Sequence, residues 1–471
     1  MDAYERTDRP IAALLAPDLL ALLEEDPGSV AAETEELHPA DLADVAEALP
    51  RERVALLLAV LTPERAADVL EYLDEGLRTE VLEAMTARQA ATIVTEMTPD
   101  DRADVLDELD ESHADDILAE IPAEERRITE QLLAYDPDTA GGLMTTEFIS
   151  VPEGTGVEDA LNQVRVAARS GRREAMYAVY TTDLAGRARG VISLRELLAA
   201  PEGTTIGENA WSEVVTINVN TSRQEIARVT SEYDLYAVPV VDERGILLGV
   251  ITVDDVIDVI QEEQTEDVQK LGGMEALDEP YMQMTLPQMF RKRVVWLCVL
   301  FFGSLITATV IGHFEASLAQ VTFLALFIPL IISSGGNSGS QATSLIIRAM
   351  ALDEVSLRDW VRVARRELIS GLALGAVLGV LGFARIVVWH QAGWYDYTDN
   401  YLRVALTIGL ALLGVVTFGS LTGSMLPFLL RKLRLDPASA SAPFVATLVD
   451  VTGLIIYFGV ALLLLGNLLV E

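Results

Sequence analysis

VATLVDVTGLIIYF, residues 445–458, lies in an apolar run that starts near Pro443 and continues almost to Glu471, and its single ionisable side chain is Asp450. A run of that length crosses a bilayer whose hydrocarbon core is about 30 Å thick. A carboxylate near the middle of such a helix costs roughly 2.5 to 3.5 kcal/mol on insertion scales, so it needs a use. A buried ion pair, a proton-carrying role and a cation site would each supply one. Within the spans no base is well placed to pair with Asp450, because Arg385 and Arg403 lie toward the outer ends of theirs.

Four more apolar stretches precede this one, so five spans are expected at roughly 294–312, 318–347, 367–389, 402–430 and 443–469. Basic residues orient them. Arg291 to Arg293, the bases between Arg348 and Arg366, and Arg431, Lys432 and Arg434 all fall on one side of a five-span chain. That puts 11 of the 13 bases after residue 290 in the cytoplasm, with the N-terminus inside and the C-terminus outside the cell membrane. Segment 389–401, WHQAGWYDYTDNY, is aromatic and acidic, as an outer interfacial belt would be.

The 471 residues carry a net charge of -38, and the acidity is confined to one part of the chain. From residue 291 onward 13 bases meet 10 acids, whereas the first 290 residues hold 62 acids and 21 bases. Such a domain is repelled by nucleic acid and attracts cations. The single Cys298 rules out intrachain disulfides. The charged N-terminus MDAYERTDRP shows no signal peptide. An enzyme is not expected, since His38, His113, His313 and His390 are scattered and Cys298 has no nearby base.

Two repeats organise the acidic half. Leu37, Leu49, Leu61, Leu73, Met85, Met97, Leu109, Ile121 and Leu133 recur every 12 residues, around segments such as LTPERAADVLEYL (61–73) and MTPDDRADVLDEL (97–109). Proline at a helix start and apolar residues at helical spacing predict short helices stacked in a right-angled or superhelical array. Beyond residue 140, Tyr177-Ala178-Val179 and Gly190-Val191-Ile192 return 59 residues later as Tyr236-Ala237-Val238 and Gly249-Val250-Ile251. Each copy reads helix, strand, turn, strand, helix. The arrangement resembles tandem CBS domains, which commonly bind adenosine nucleotides or metal ions.

After the second copy, VDDVIDVIQEEQTEDVQK (253–270) places Asp255, Asp258, Glu262, Glu263, Glu266 and Asp267 at spacings of three and four, many on one helical face. A solvated acidic helix is the plain reading. A divalent cation that removes the like-charge repulsion is the functional one, and Asp100, Asp101 and Asp104 could face the run across a domain interface. Oxygen-only ligands favour magnesium or calcium. In the second span, PLIISSGGNSGSQ (329–341) sets Pro329, paired glycines and Asn337 at hydrocarbon depth, which predicts a broken, pore-lining segment. Gly371, Gly375 and Gly379 of the third span read instead as close helix packing.

This order of acidic repeats, CBS-like units, charged helix and five spans, with PLIISSGGNSGSQ and PFVATLVDVTGLIIYF, resembles the MgtE magnesium channels over nearly the whole chain. The resemblance implies a multidomain membrane protein: an α-helical superhelical N-terminal domain (1–135), α/β tandem CBS domains (136–202 and 203–262), a connecting (plug) helix (263–293) and a five-helix transmembrane pore domain (294–471). It further implies a homodimer that passes Mg2+ into the cytoplasm, with ATP a candidate ligand of the CBS pair. Asp450, the Ala446 carbonyl and Asn337 are the implied pore site. Asp101, Asp104, Asp234, Asp255, Asp258, Glu263, Glu266 and Asp267 are the implied cytosolic Mg2+ ligands that close the pore. A proton-coupled divalent-cation transporter and a membrane-anchored CBS nucleotide sensor are the alternatives.

Overall fold

The computed structural model describes residues 10–169, 177–277, 281–282, 284–314, 322–397 and 400–469. The chain divides into two units, residues 1–263 and 264–471.

In the first unit each 12-residue repeat is one short helix and one bend. From Pro39–Glu47 and Arg51–Val60 through Pro63–Glu71, Glu75–Ala84, Ala87–Val94, Pro99–Asp107 and Glu111–Glu120 to Ala123–Leu132, the helices hold 8 to 10 residues. The recurring apolar residues from Leu49 to Ile121 occupy the bends, where all seven are buried. The next residue is the cap. Thr62 accepts from the Arg65 amide with Pro63 behind it, and Thr86 forms a reciprocal capping box with Gln89. Helices too short to be stable alone gain their stability from packing on the next helix but one. Pro39–Glu47 packs on Pro63–Glu71, which packs on Ala87–Val94, which packs on Glu111–Glu120. Leu57, Val69, Leu70 and Leu82 are buried along this array, and truncating one of them to Ala would cost about 2 to 5 kcal/mol.

Two three-stranded sheets follow: β1 Ile149–Pro152, β2 Ala178–Thr182 and β3 Ala188–Ser193, then β4 Ile217–Asn218, β5 Ala237–Val241 and β6 Leu247–Thr252. In each, the first strand is parallel to the second and the second antiparallel to the third. The sequence repeat is reproduced as register: Val179 faces Ile192, and Val238 faces Ile251. Both hairpin turns close on a glycine at φ +79°, Gly186 and Gly245, a conformation that disfavours any side chain. Tyr180, Val191, Val241, Leu247 and Val250 form a shared cluster that holds the two sheets together. Ala103 of the helical array joins Leu132, Ile217, Val238 and Ile251 in another, so the array is docked on the second sheet's domain.

Among the described residues of the second unit, five helices are long and apolar enough to cross a membrane. They run Leu286–His313, Ile328–Ala351, Trp360–Gln391, Tyr401–Lys432 and Ala442–Leu469 and are called here the first to fifth spans. The first and third begin before the apolar stretches do, because the helix continues through the basic headgroup-level residues that flank the hydrocarbon. Residues 315–321 and 398–399, parts of the expected second span and outer belt, lie outside the described residues.

The expectation of a broken second span is not met. Ile328–Ala351 is a continuous helix, with Pro329 tolerated in its first turn after the 3-10 turn Thr322–Phe327. Gly335 and Gly339 are buried against the fourth and fifth spans, next to Val415, Val449 and the Gly419 carbonyl. These small residues serve close packing. Ser338 and Ser420 hydroxyls pair at 2.7 Å, and Thr343 Oγ1 donates to the Gly423 carbonyl at 2.8 Å, which binds the second span to the fourth. The third-span stripe packs as expected: a Cβ on Gly379 would lie 2.6 Å from the Gly409 carbonyl oxygen.

The connecting helix also differs in extent from the expected 263–293. It runs Val253–Leu271, continuing directly from β6, and ends at Gly272 and Gly273, the latter at φ +77°. Its C-terminal end packs through Leu271 with Ile347, Leu430, Ala438 and Ala440, and Lys270 pairs with Asp436 at 2.8 Å.

Candidate cation sites

Carboxylates gather in the first unit where the helical array meets the start of the connecting helix. Asp101 sits in the first turn of Pro99–Asp107, accepting from Thr98 Oγ1 at 2.6 Å. Asp255 sits in the first turn of the connecting helix, where Thr252 donates to it from Oγ1 at 2.7 Å and from its amide at 3.3 Å. Local capping thus fixes both side chains. Burial raises the pKa of Asp101, and the charges of Asp254 and Asp258 add to that rise. Burial likewise raises Asp255, with Asp101 and Asp254 contributing. Glu71 joins them: burial, then the charges of Asp101, Asp68 and Asp255, push it up to about 7.

The other expected cytosolic ligands are distributed differently. Asp258 is exposed beside this group, its pKa raised by desolvation and Asp254. Asp104 is pushed up to about 7 by desolvation and by Asp101 and Glu108, but it lines a small crevice with Asp107, Leu132 and Tyr135 and keeps solvent contact. Glu71 and Asp104 are both solvent-exposed, so solvent screening discounts both shifts. Glu263 is engaged by Arg223 Nε at 2.7 Å and Gln224 Nε2 at 2.9 Å. Glu266 accepts from Lys270 at 3.0 Å, Asp267 is half-buried, and both lie beyond the group along the same helix. Asp234 stands apart, as the exposed left-handed cap of helix Arg223–Tyr233, at φ 52°.

Glu71 and Asp68 were not singled out from the sequence, although the repeat held the signal. Aligning 61–73 with 97–109 sets Asp68 on Asp104 and Glu71 on Asp107. Among the described residues no three His, Cys, Asp or Glu side chains converge into a ready-made metal cage. Carboxylates that are close but unconverged, and that burial drives toward protonation, match a cation held through its water shell. Mg2+ is bound in that way because it dehydrates reluctantly.

In the membrane unit Asp450 is half-buried in the middle of the fifth span. Gly336 of the second span opposes it. A Cβ there would lie 3.4 Å from Ala446 Cβ and 3.9 Å from Asp450 Oδ1. No side chain among the described residues donates to the Asp450 carboxylate or pairs with it. Ala446 is one helical turn earlier, so its carbonyl accepts the amide at 450 and keeps one lone pair free. Asn337 adjoins Gly336 and is exposed within the chain, its amide donating to Ser333 Oγ at 3.4 Å. Asp450, Ala446 and Gly336 are therefore brought together, with Asn337 as the next residue along the second span.

The start of the fifth span is tied down on the connecting-helix side. Trp296 Nε1 donates to Ser441 Oγ at 3.2 Å, and Ser340 Oγ of the second span donates to the Ala442 carbonyl at 3.2 Å. A Cβ on Gly273 would fall 2.8 Å from Trp296 Nε1, so the turn after the connecting helix presses on the same place.

Three family signatures cover this architecture in order: the MgtE intracellular N domain at 37–138, CBS domains at 140–203 and 210–262, and MgtE, a divalent cation transporter, at 328–460. The magnesium transporter MgtE of Thermus thermophilus is 40% identical over 456 residues, which are 94% of this chain and 97% of that protein. The chain belongs to the MgtE family. The magnesium transporter MgtE of Bacillus subtilis is 30% identical over 427 residues, 91% of this chain and 92% of the relative. A crystal structure of the soluble part of a magnesium transporter, 30% identical with a TM-score of 0.50, covers 54% of this chain and 99% of its own. The MgtE transporter signature takes in the second to fifth spans and with them Gly336, Asn337, Ala446 and Asp450. The protein is a multi-pass membrane member of this MgtE family.

Proposed function

We propose that the protein is a Mg2+-selective channel that works as a homodimer in the cell membrane, with its N-terminus in the cytoplasm and its C-terminus outside, and admits magnesium to the cytoplasm. One observation carries the reading: Asp450, at mid-span, has no described donor or base and faces a glycine surface and a backbone carbonyl. A carboxylate kept there against an insertion cost of roughly 2.5 to 3.5 kcal/mol has use as a cation ligand. On a two-fold axis, Asp450 from each copy would share one hydrated Mg2+, with the free lone pair of the Ala446 carbonyl and the Asn337 amide bonding to its waters. An inward-negative potential drives a dication with about 4.6 kcal/mol per 100 mV, twice the single-charge value.

Closure by cytoplasmic Mg2+ follows from the acidic group around Glu71, Asp101 and Asp255, with Asp258, Asp104, Asp234, Glu263, Glu266 and Asp267 as outlying carboxylates. Without a metal these groups repel and take up protons, and a dication substitutes for the protons and draws the domains together. The CBS pair is the place for ATP, a reading that rests on the resemblance of its two units to nucleotide-binding CBS pairs.

Mg2+ flux into proteoliposomes tests the pore assignment. Wild-type protein conducts, and Asp450→Asn is expected to lose at least about tenfold of the flux, equivalent to ~1.4 kcal/mol. Equal flux from the two would remove Asp450 from the pathway. Uptake that strictly follows an imposed pH gradient would replace the channel by a proton-coupled carrier.

A further inference from the structure

Between the second, third and fourth spans lies a groove of about 220 Å³ lined by Leu330, Ser334, Leu378, Leu381, Leu412 and Arg385. Its walls are apolar and open to the membrane: Leu381 is 61% and Leu330 40% exposed. Its mouth carries a cation. The Arg385 guanidinium sits 5.0 Å from the ring centroid of Trp389 and 5.5 Å from that of Phe327, and no carboxylate among the described residues pairs with it.

Depth follows from the helix. Trp360–Gln391 has 32 residues and is about 48 Å long, longer than the hydrocarbon core of about 30 Å. Arg385 lies six residues from its end, about 9 Å along the axis, where headgroups meet acyl chains. The aromatic rings hold the guanidinium by cation–π contact and leave its N–H fork free toward the groove mouth. Leu378 and Leu412 continue the groove toward mid-bilayer. A cation above an apolar slot is the shape of a lipid, with phosphate at one end and chain at the other.

We propose that this groove is a binding site for an anionic glycerophospholipid of the leaflet on the 389–401 loop side, its phosphate forked by Arg385 and one acyl chain lying along Leu381, Leu378 and Leu412. Bidentate guanidinium–phosphate bonding supplies the specificity, and apolar burial along the chain supplies the affinity. A second copy of the protein is a poorer occupant, because an isologous contact through this surface would bring one Arg385 against the other.

Full-length protein in detergent, titrated with palmitoyl-oleoyl phosphatidylglycerol and read by native mass spectrometry, tests the site. Wild type is expected to retain one tightly bound lipid per chain, Arg385→Gln to bind it at least tenfold more weakly, and Arg385→Lys to fall between them, because an ammonium keeps the charge and loses the planar fork. Leu381→Trp, at an exposed position that tolerates bulk, is expected to lose the lipid with the guanidinium intact, so the test survives misfolding of Arg385→Gln. Glycerol phosphate is expected not to compete. Wild-type retention by both Arg385→Gln and Leu381→Trp overturns the proposal. Displacement by glycerol phosphate overturns it in favour of a free-anion site, and disulfide cross-linking of Leu381→Cys between copies in native membranes overturns it in favour of a protein contact.

Discussion

The molecule sets its acidic side chains in two opposite ways. In the first unit Glu71, Asp101, Asp254, Asp255 and Asp258 influence one another, and some of them are fixed by threonine caps. In the membrane unit Asp450 stands without a neighbouring carboxylate among the described residues and is positioned by glycine packing. On the proposed function, the many cytosolic ligands would make a graded sensor, whose response survives the loss of any one. On the same reading, the lone carboxylate of the fifth span would make a passage that fails outright when it changes.

The largest effect is expected where the lone site is altered without touching its charge. Gly336→Leu would push a side chain into Ala446 and Asp450, and Mg2+ flux is expected to fall to background while the protein remains monodisperse by size exclusion. Retained flux would show that the second span does not border the path. Next, joint neutralisation of Glu71, Asp101 and Asp255 is expected to leave conduction intact and to raise the Mg2+ concentration for closure at least about tenfold, ~1.4 kcal/mol, in patch recordings. Unchanged closure would break the comparison from the cytosolic side.

Protons provide a gentler probe. Glu71 and Asp104 have folded-state pKa values near 7, raised above the unfolded carboxylate range chiefly by burial. Between that range and 7 the folded state therefore binds more protons than the unfolded one, so stability falls as pH rises through this window. In EDTA the melting temperature is expected to drop between pH 5 and pH 8, and added Mg2+ should restore it at pH 8 more than at pH 5. A flat profile would mean that these carboxylates are not crowded. The smallest effect is expected from Asp258→Asn alone, an exposed member, which should shift the Mg2+ response by less than about fivefold, ~1 kcal/mol.

Much of the fold was legible because it repeats or is long. The 12-residue spacing marked the bends, the 59-residue spacing carried over into strand register, and apolar length marked the five spans. What escaped was non-local. The glycines of PLIISSGGNSGSQ have the composition of a broken helix, but Val415, Gly419 and Val449, far away in sequence, make them a packing surface. Glu263 belongs to the acidic run by spacing, and only the fold shows Arg223 and Gln224 reaching it. The repeat aligns Glu71 with Asp107, but only the stacking of the array brings it to Asp101 and Asp255. Asp450 was legible for the converse reason: a charge in a hydrocarbon-length run is conspicuous without any partner.

The glycine seam between the third and fourth spans limits what can move. Where Gly379 meets the Gly409 carbonyl, and Gly375 meets the backbone at Leu413, no side chain stands between the two helices to swing aside, and sliding would force backbone into backbone. The pair is a stator. The second span belongs to the same frame, since Gly419 and Gly423 meet the Gly335 and Gly339 carbonyls in the same way, and the first span touches the remaining helices chiefly through the fifth, so any relative movement is left to the fifth and first spans.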